Sequence, residues 1–384
     1  MNRIDTDLIV VGAGILGLSA AIQAAEQGLR VCLFEKDPHA IGATRRNFGM
    51  VGISTLTRPD TKWRQYALET CQFYQRIQNQ QDISFQQRDG VYLANTELEW
   101  QVLHEFSQVA PDYAIAVTLL NQQQLRQRCP YLNVNAGIRG GLLFHADYSV
   151  EPELITDRLL DYAQQLGVKI YHNACVIQTR SEQGKAVIQL ASGQCYTAAK
   201  IFICHGEISQ ILYPEVLKKL GLLRCSLQMM LTEPLRYSLH ASLYSGLSIS
   251  RYPAFEICPS HSALIAESQQ GVVKDYGLHI LVKQNQYGQL ILGDSHEYRT
   301  LDQAKQFNQR EEINQFIWQY CQQKMGLMLP KITSRWNGYY LTHPDHLASV
   351  IEVEPHIFLI SAIAGKGMTT GAGFMKEILE TYIL

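Results

Sequence analysis

The 384-residue sequence has no long apolar run. Its longest ones, such as residues 8–11 and 357–363, end well before the roughly 20 apolar residues that a membrane-spanning helix needs. The first residues are mostly polar and lead directly into an apolar strand, which leaves no room for the basic and apolar regions of a signal peptide. We therefore expect no membrane span and a cytoplasmic location.

The sequence also lacks an excess of either charge. Its 33 Lys and Arg residues nearly balance its 35 Asp and Glu residues, and the formal net charge is -2. Such a chain has no general positive field that would attract phosphate backbones. Nucleic acid is therefore not an expected partner.

Paired cysteines and metal-ligand spacings are absent too. The nine cysteines are scattered without a CxxC pair, and several lie in apolar segments where a thiol packs as a small hydrophobic group. His343 and His346 are close together, but no third ligand follows at a usable spacing. The sequence thus predicts reduced thiols, no metal site and no catalytic cysteine.

What the sequence does contain is a glycine motif between a strand and a helix. Residues 7–11 are typical of a buried parallel strand, Gly12, Gly14 and Gly17 form a G-x-G-x-x-G loop, and residues 18–27 have a helical pattern. The first glycine permits a tight turn, the second lets a pyrophosphate approach the backbone, and the third lets the helix pack on the strand. The helix N-terminus then attracts phosphate.

An acidic residue follows at the distance that this motif requires. A second strand, residues 30–34, ends at Glu35, whose carboxylate can accept hydrogen bonds from ribose hydroxyls and repels a 2′-phosphate. This combination predicts a site for adenosine diphosphate, which FAD and NAD share. The loop at residues 42–50 is rich in glycine, hydroxyl and cationic groups and can wrap a pyrophosphate, although its composition also allows a solvated basic turn.

Four stretches, residues 7–50, 150–171, 199–206 and 335–371, resemble the D-amino-acid oxidase and glycine or sarcosine oxidase superfamily of FAD-dependent oxidoreductases. The resemblance runs from end to end. It implies FAD rather than NAD, because this family has a C-terminal return to the cofactor that a plain NAD dehydrogenase does not need.

In the family, that return is a glycine-rich turn, here residues 365–371, which leads into a last helix, here residues 373–384, that faces the flavin pyrimidine ring. The positive end of the helix stabilises the anionic reduced flavin. By composition alone, the same turn is equally well interpreted as a helix-capping loop. No cysteine lies in the segment where some sarcosine oxidases tether flavin, so the FAD is expected to be noncovalent.

The resemblance implies an α/β fold with an α+β substrate domain. A Rossmann-like FAD-binding domain is expected from discontinuous segments, residues 1–84, 146–210 and 327–384. A mixed or antiparallel sheet from residues 85–145 and 211–326 is expected to form the substrate-binding domain and to roof the flavin.

The resemblance also implies a set of cofactor-binding residues. They are Gly12, Gly14, Ile15, Leu16, Gly17, Glu35, Lys36, Thr44, Arg45, Arg46, Asn47, Gly49, Met50, Val176, His205, Gly206, Trp336, Gly338, Gly365, Lys366, Gly367, Met368 and Thr369. Val176 is expected to contact the adenine through its backbone only. His205 is an unusual occupant of its strand end, where a histidine satisfied by its neighbours is an equally good interpretation.

Two positions depart from the better-known relatives. Tyr340 stands where amino-acid oxidases have an arginine that clamps the carboxylate, and Thr369 stands where sarcosine oxidases have a substrate-binding lysine. Through residues 45–51, 251–255 and 293–298, the chain instead resembles a branch associated with phosphonate breakdown.

The candidate substrate residues are Arg251, Tyr252, His296 and Tyr340. Arg251 and Tyr252 are candidates for an anion clamp, because arginine offers a planar fork to carboxylate or phosphonate oxygens. His296 follows an apolar strand, residues 289–292, and can help to keep an amine deprotonated. The structural alternatives are a surface arginine and a solvated hairpin.

The sequence therefore predicts FAD-dependent oxidation of a small primary or secondary amine, either an amino acid or an aminophosphonate. Hydride would pass to flavin N5, the imine would hydrolyse to an aldehyde or keto acid, and dioxygen or another acceptor would reoxidise the flavin. Two alternatives stay open at this point. One is a redox-inert or partner-dependent FAD-binding subunit of a dehydrogenase complex, and the other is oxidation of a modified tRNA nucleoside side chain.

Overall fold

A computed structural model describes residues 6–384. The strands of this part are, in chain order, β1 (Thr6–Val11), β2 (Val31–Phe34), β3 (Met50–Val51), β4 (Gln86–Gln87), β5 (Asp89–Ala94), β6 (Val117–Asn121), β7 (Gly140–Phe144), β8 (Tyr148–Ser149), β9 (Lys169–Tyr171), β10 (Val176–Glu182), β11 (Lys185–Leu190), β12 (Cys195–Ile203), β13 (Leu223–Pro234), β14 (Ala241–Tyr244), β15 (Leu281–Gln284), β16 (Gln289–Gly293), β17 (Glu297–Thr300), β18 (Ile332–Thr342), β19 (Ser349–Glu354) and β20 (Ile357–Ser361).

The α-helices of the same part are α1 (Ile15–Glu26), α2 (Lys62–Gln78), α3 (Glu97–Val109), α4 (Gln122–Arg128), α5 (Pro152–Gln165), α6 (Pro214–Lys219), α7 (Gly246–Ile249), α8 (His261–Ser268), α9 (Gly271–Asp275), α10 (Glu311–Gln323) and α11 (Gly367–Tyr382). Short 3₁₀ turns lie at Ala43–Arg45, Ala110–Tyr113, Pro253–Ile257 and Ala364–Lys366.

The first sheet has a parallel centre. Its strand order is β10-β11-β12-β1-β2-β9, with β20 beside β12 and β19 beside β20, and β1 runs parallel to both β12 and β2. Leu8 and Val10 pack among the helices α1, α2, α5 and α11, whereas Ile9 and Val11 pack on the other face, towards β10 and β11. Because both faces are covered, residues 8–11 of β1 are all apolar.

The second sheet has nine strands in the order β17-β13-β16-β15-β14-β5-β7-β6, with β18 beside β13. Most neighbours are antiparallel, but β14 runs parallel to β5, so the sheet is mixed. The prediction of an α/β fold with a mixed second sheet is therefore confirmed. A small third sheet has three strands in the order β3-β8-β4.

The structure differs from the sequence prediction in the placement of β18. The sequence grouped residues 327–384 with the cofactor segments, but β18 pairs with β13 from Thr342 opposite Leu223 to Ile332 opposite Thr232. Backbone hydrogen bonds along this whole strand place it in the second sheet. The other predicted segment boundaries stay predictions.

Two further sequence predictions concern thiols and membranes. All nine cysteines are free, and six of them are buried. Within the part of the chain that the structure describes, no helix has both the length and the apolarity to cross a membrane.

Candidate active site

A cavity of about 690 Å³ lies between the first and second sheets. Its wall includes Gly12, Glu35 and Cys204, which follow the carboxyl ends of β1, β2 and β12, and Tyr244 and Tyr340 from the second sheet. The volume is in the range of about 300–1,000 Å³ that small-molecule and cofactor sites occupy. Ligands of open parallel sheets bind at the carboxyl ends of the strands.

The glycine loop shapes the nucleotide end of this cavity. Gly12 has φ +103°, and a Cβ there would lie 2.5 Å from the carbonyl oxygen of Cys204. A Cβ on Gly17 would lie 1.9 Å from the Gly12 oxygen, so this glycine permits close packing of α1 on β1. At Gly14, a Cβ would meet only Thr44 Oγ1, at 3.5 Å, so the backbone is open to a ligand.

Two side chains hold the backbone of this loop. Glu35 is buried, and its two carboxylate oxygens accept hydrogen bonds from the backbone N–H groups of Ala13, at 2.9 Å, and Asp37, at 3.0 Å. Thr44 Oγ1 accepts from the backbone N–H of Ile15, at 3.0 Å. The start of α1 has no side-chain cap of its own, so its positive end is available to an anion.

Buried polar atoms without partners line the same cavity. Neither ring nitrogen of His205 has a hydrogen-bond partner in the described residues, and neither has the hydroxyl of Thr369. Burial lowers the pKa of His205 to about 4, so the ring is neutral at pH 7. Buried polar groups in proteins are normally hydrogen-bonded. A dinucleotide in the cavity would supply partners, and the residues present therefore fit FAD.

The last helix begins earlier than the sequence predicts. Residues 365–371 were expected to form a turn before a helix at 373–384, but α11 already starts at Gly367. Its glycines allow close packing, since a Cβ on Gly371 would lie 3.2 Å from Leu16 and one on Gly373 would lie 2.4 Å from the Tyr66 oxygen. The first residues of α11, Gly367, Met368 and Thr369, lie in the cavity wall.

Most predicted cofactor residues lie in the cavity wall. They are Gly12, Gly14, Ile15, Leu16, Glu35, Lys36, Thr44, Arg46, Asn47, Met50, Val176, His205, Gly206, Gly338, Gly365, Lys366, Gly367, Met368 and Thr369.

Four predicted cofactor residues lie behind the wall. Gly17 packs on the Gly12 backbone, and Gly49 packs so closely on Val150 that a Cβ would lie 2.2 Å from its oxygen. Arg45 faces away, with Nη1 3.4 Å from Asp157 Oδ2. Trp336 packs against the apolar cluster of the second sheet. These four residues support the wall instead of forming its surface.

All four predicted substrate residues lie at the other end of the cavity. Arg251, Tyr252, His296 and Tyr340 line it together. Arg251 follows the short helix α7, and its Nη2 donates to the hydroxyl of Tyr298, at 3.1 Å. Burial raises the pKa of Tyr340 far above its ordinary value, so this phenol stays neutral. Arg251 thus places a positive charge beside the aromatic side chains of this part of the wall.

His296 belongs to a cluster with His279 and Asp294 that the sequence did not predict. Asp294 Oδ1 lies 3.0 Å from His279 Nε2, and Oδ2 lies 3.8 Å from His296 Nε2. Burial lowers the pKa of both histidines, and Arg251 lowers them further. Such side chains also bind divalent metal ions, and their ligand atoms lie within 4.8 Å of one another.

Little in the amino-acid sequence indicated this cluster. His279 lies in an apolar segment, Leu278-His279-Ile280, that is typical of a core strand. It meets Asp294 because the two residues lie just beyond paired ends of β15 and β16, where the Asp294 N–H donates to the His279 oxygen at 2.9 Å. Only the many polar residues at positions 293–298 indicated the Asp294 side of this pair.

Comparisons with known proteins agree with the cofactor site described above. Residues 7–380 match the family described as "DAO: FAD dependent oxidoreductase". The chain is 27% identical over 214 residues to glycine oxidase of Bacillus licheniformis, covering 55% of this chain and 56% of that protein. It is 24% identical over 225 residues to monomeric sarcosine oxidase of Bacillus sp. (strain B-0618), covering 56% and 54%.

The chain therefore spans little more than half the length of the curated relatives it matches. Among solved structures, glycine oxidase from Geobacillus kaustophilus superposes with a TM-score of 0.78 over 99% of this chain and 96% of that one. Its sequence identity is 16%, so this similarity shows a shared fold.

Proposed function

Because this chain belongs to the DAO family of FAD-dependent oxidoreductases, we propose that it oxidises a small primary or secondary amine that also carries an anionic group. The supporting observation is a cavity that joins the dinucleotide end to a second end lined by Arg251 and His296. Two relatives named glycine oxidase and sarcosine oxidase support small amines as the substrate class.

The nucleotide end holds the cofactor in this proposal. Glu35 would accept hydrogen bonds from ribose hydroxyls, and the positive ends of α1 and α11 would stabilise the negative charge of the cofactor. Bound FAD supplies a hydride acceptor, which side chains cannot provide. No cysteine lies in residues 365–384, which supports noncovalent binding of the cofactor.

The substrate end positions the amine. Arg251 binds the carboxylate or phosphonate oxygens with its planar fork, and Tyr298 fixes the guanidinium group. Tyr252 and Tyr340 form the neutral walls beside it. His296 stays neutral, so a ring nitrogen is available to accept a hydrogen bond from the amino group of the substrate.

The products and the setting follow from this chemistry. The imine hydrolyses to an aldehyde or keto acid and releases an amine or ammonia. Dioxygen or another electron acceptor would be the second substrate. Nine free thiols support a reducing compartment such as the cytoplasm.

The test is anaerobic mixing of the holoenzyme with glycine, sarcosine, D-alanine, 2-aminoethylphosphonate and N-methyl-2-aminoethylphosphonate. At least one of them should bleach the oxidised flavin absorbance. Arg251→Met should slow bleaching roughly tenfold to a hundredfold, the effect of losing a charge-assisted hydrogen bond, and should leave the oxidised flavin spectrum unchanged. Bleaching by no amine of the panel contradicts the proposal.

Two other outcomes would point to the alternatives. Bleaching only after a partner protein is added would indicate a subunit of a dehydrogenase complex. Salt-sensitive tRNA binding would indicate a nucleoside substrate, a reading that the net charge of -2 does not favour. Yellow colour that stays in the pellet after acid precipitation would contradict noncovalent FAD.

A further inference from the structure

A gap between two hydrogen-bond acceptors lies at the substrate end of the cavity. His296 Nδ1 is 3.2 Å from the carbonyl oxygen of Gly277, and a carbonyl can only accept. The proton of the neutral ring is therefore on Nδ1, and Nε2 carries a lone pair. That lone pair faces Asp294 Oδ2 at 3.8 Å, a pair of acceptors that cannot bond to each other.

Asp294 is also short of partners. Its residue is 5% exposed, and its Oδ1 has no aligned hydrogen bond within residues 6–384, although His279 Nε2 lies 3.0 Å away. A buried carboxylate with a single, poorly aligned donor at His279 is costly, and further donors or a cation beside it lower that cost. Arg251 acts on both histidines of the cluster, so a positive charge is close, but its Nη2 donates to Tyr298.

From this geometry we propose that Asp294 Oδ2 and His296 Nε2 form the binding subsite for the ammonium group of the substrate. An ammonium group offers several donors and one positive charge, which match two acceptors and one negative charge. The inference rests on the proposed function and extends it, because it assigns the amine end of the substrate to residues other than those that bind the anionic end.

The other acidic groups of the cavity wall are placed elsewhere. Glu35 and Asp37 lie at the nucleotide end, and Glu207 is paired with Lys305, with 2.6 Å between Nζ and Oε1. Asp294 therefore supplies the negative charge beside Arg251. A site with an anionic group beside cationic groups recognises a zwitterion, such as an amino acid or aminophosphonate, better than a simple amine or a simple acid.

A divalent metal ion could also lie between these acceptors. The charges of the wall favour ammonium, because Arg251 and Lys366 face the same space and repel a double positive charge more strongly. The cluster also lies in the wall of the cavity, so the ammonium group of a bound substrate can reach it.

The test measures ligand affinity by anaerobic calorimetry on the holoenzyme, with glycine, methylammonium and acetate as probes. Asp294→Asn should weaken glycine and methylammonium roughly tenfold to a hundredfold, the range for a hydrogen bond to a charged group, and should not weaken acetate. Arg251→Met should weaken glycine and acetate and spare methylammonium. Asp302→Asn, at an exposed carboxylate, serves as the matched control.

A second variant covers the case in which Asp294→Asn loses its flavin or fails to fold. His296→Leu removes the other acceptor and should weaken methylammonium more than acetate. The proposal is overturned if wild-type holoenzyme binds no methylammonium, or if the variants weaken all three probes equally. It is also overturned if EDTA abolishes methylammonium binding and Zn²⁺ restores it.

Failure of this subsite and failure of the proposed oxidation can be separated. Probe binding does not require flavin bleaching. If Asp294→Asn weakens methylammonium but not acetate, and no amine bleaches the flavin, the subsite is supported and the oxidation is rejected. If an amine bleaches the flavin but the variants weaken all three probes equally, the oxidation is supported and the subsite is rejected.

Discussion

The carboxylate of Glu35, at the nucleotide end of the cavity, has both a structural and a ligand-binding role. Glu35 accepts from the backbone N–H groups of Ala13 and Asp37, and it also faces the cavity. A carboxylate can do both, because each oxygen has a second lone pair left for a ribose hydroxyl. The same residue thus joins the shape of the loop to recognition of the cofactor.

Replacing this carboxylate tests that double role. We expect Glu35→Gln to weaken FAD binding by about tenfold or more, since the amide group turns an acceptor into a donor that faces a backbone N–H. The measurement is the flavin fluorescence released on dilution of the holoenzyme. Glu267→Gln, on an exposed face of α8, is the control. Equal FAD affinities of variant and wild type would show that Glu35 does not contact the cofactor.

At the scale of elements, a buried ion pair joins the second sheet to a helix of the first. Lys283, in β15, has 0% exposure, and its Nζ donates to the Val150 oxygen at 2.6 Å and lies 3.3 Å from Glu151 Oε1. Glu151 immediately precedes α5. Burial lowers the pKa of Lys283 to about 8, although Glu151 opposes the shift.

This shift predicts how stability depends on pH. Between pH 8 and pH 10.5 the unfolded chain keeps the Lys283 proton and the folded chain has lost it, so this residue adds stability as pH rises. Below pH 8 both states are protonated, and the cost of burial is felt in full. Relative to Lys283→Met, the wild type should gain up to about 1.4 kcal/mol of unfolding free energy per pH unit in that window.

Urea unfolding of both proteins at pH 7.5 and pH 9.5 measures this difference. Lys324→Met, at an exposed lysine, should follow the wild type at both values. A difference between wild type and Lys283→Met that is the same at both pH values would mean that Lys283 does not change its protonation in this range.

The sequence predicted some elements of secondary structure more accurately than others. The unit from β1 to Glu35 was predicted to within three residues at each end of its strands and helix, because its turn, helix and acid depend on neighbours in the chain. The start of α11 was missed, because its glycines serve packing against Leu16 and Tyr66, which are distant in sequence. The contact between His279 and Asp294 was missed for the same reason, since it depends on strand pairing.

At the scale of the molecule, the cavity wall is shared between the first and second sheets. A ligand that fills it contacts both sheets and binds the folded chain alone. Ligand binding of this kind adds stability as RT ln(1 + [L]/Kd), about 2.7 kcal/mol at a hundredfold excess over Kd.

We therefore expect the thermal midpoint of apoprotein to rise as FAD is added, with flavin release and loss of secondary structure in one transition. Circular dichroism and flavin fluorescence recorded on the same heating ramp test this. NAD at the same concentrations is the control ligand. A midpoint that does not respond to FAD would mean that the cavity is not its binding site.

The path of the chain has a consequence for how such a protein can change over generations. Strands β1 and β2 lie in the first sheet, β5 to β7 in the second, β9 to β12 in the first, β13 to β18 in the second, and β19 and β20 in the first again. A contiguous stretch of gene therefore encodes only part of each sheet. Neither sheet can therefore be moved into another gene as one contiguous segment.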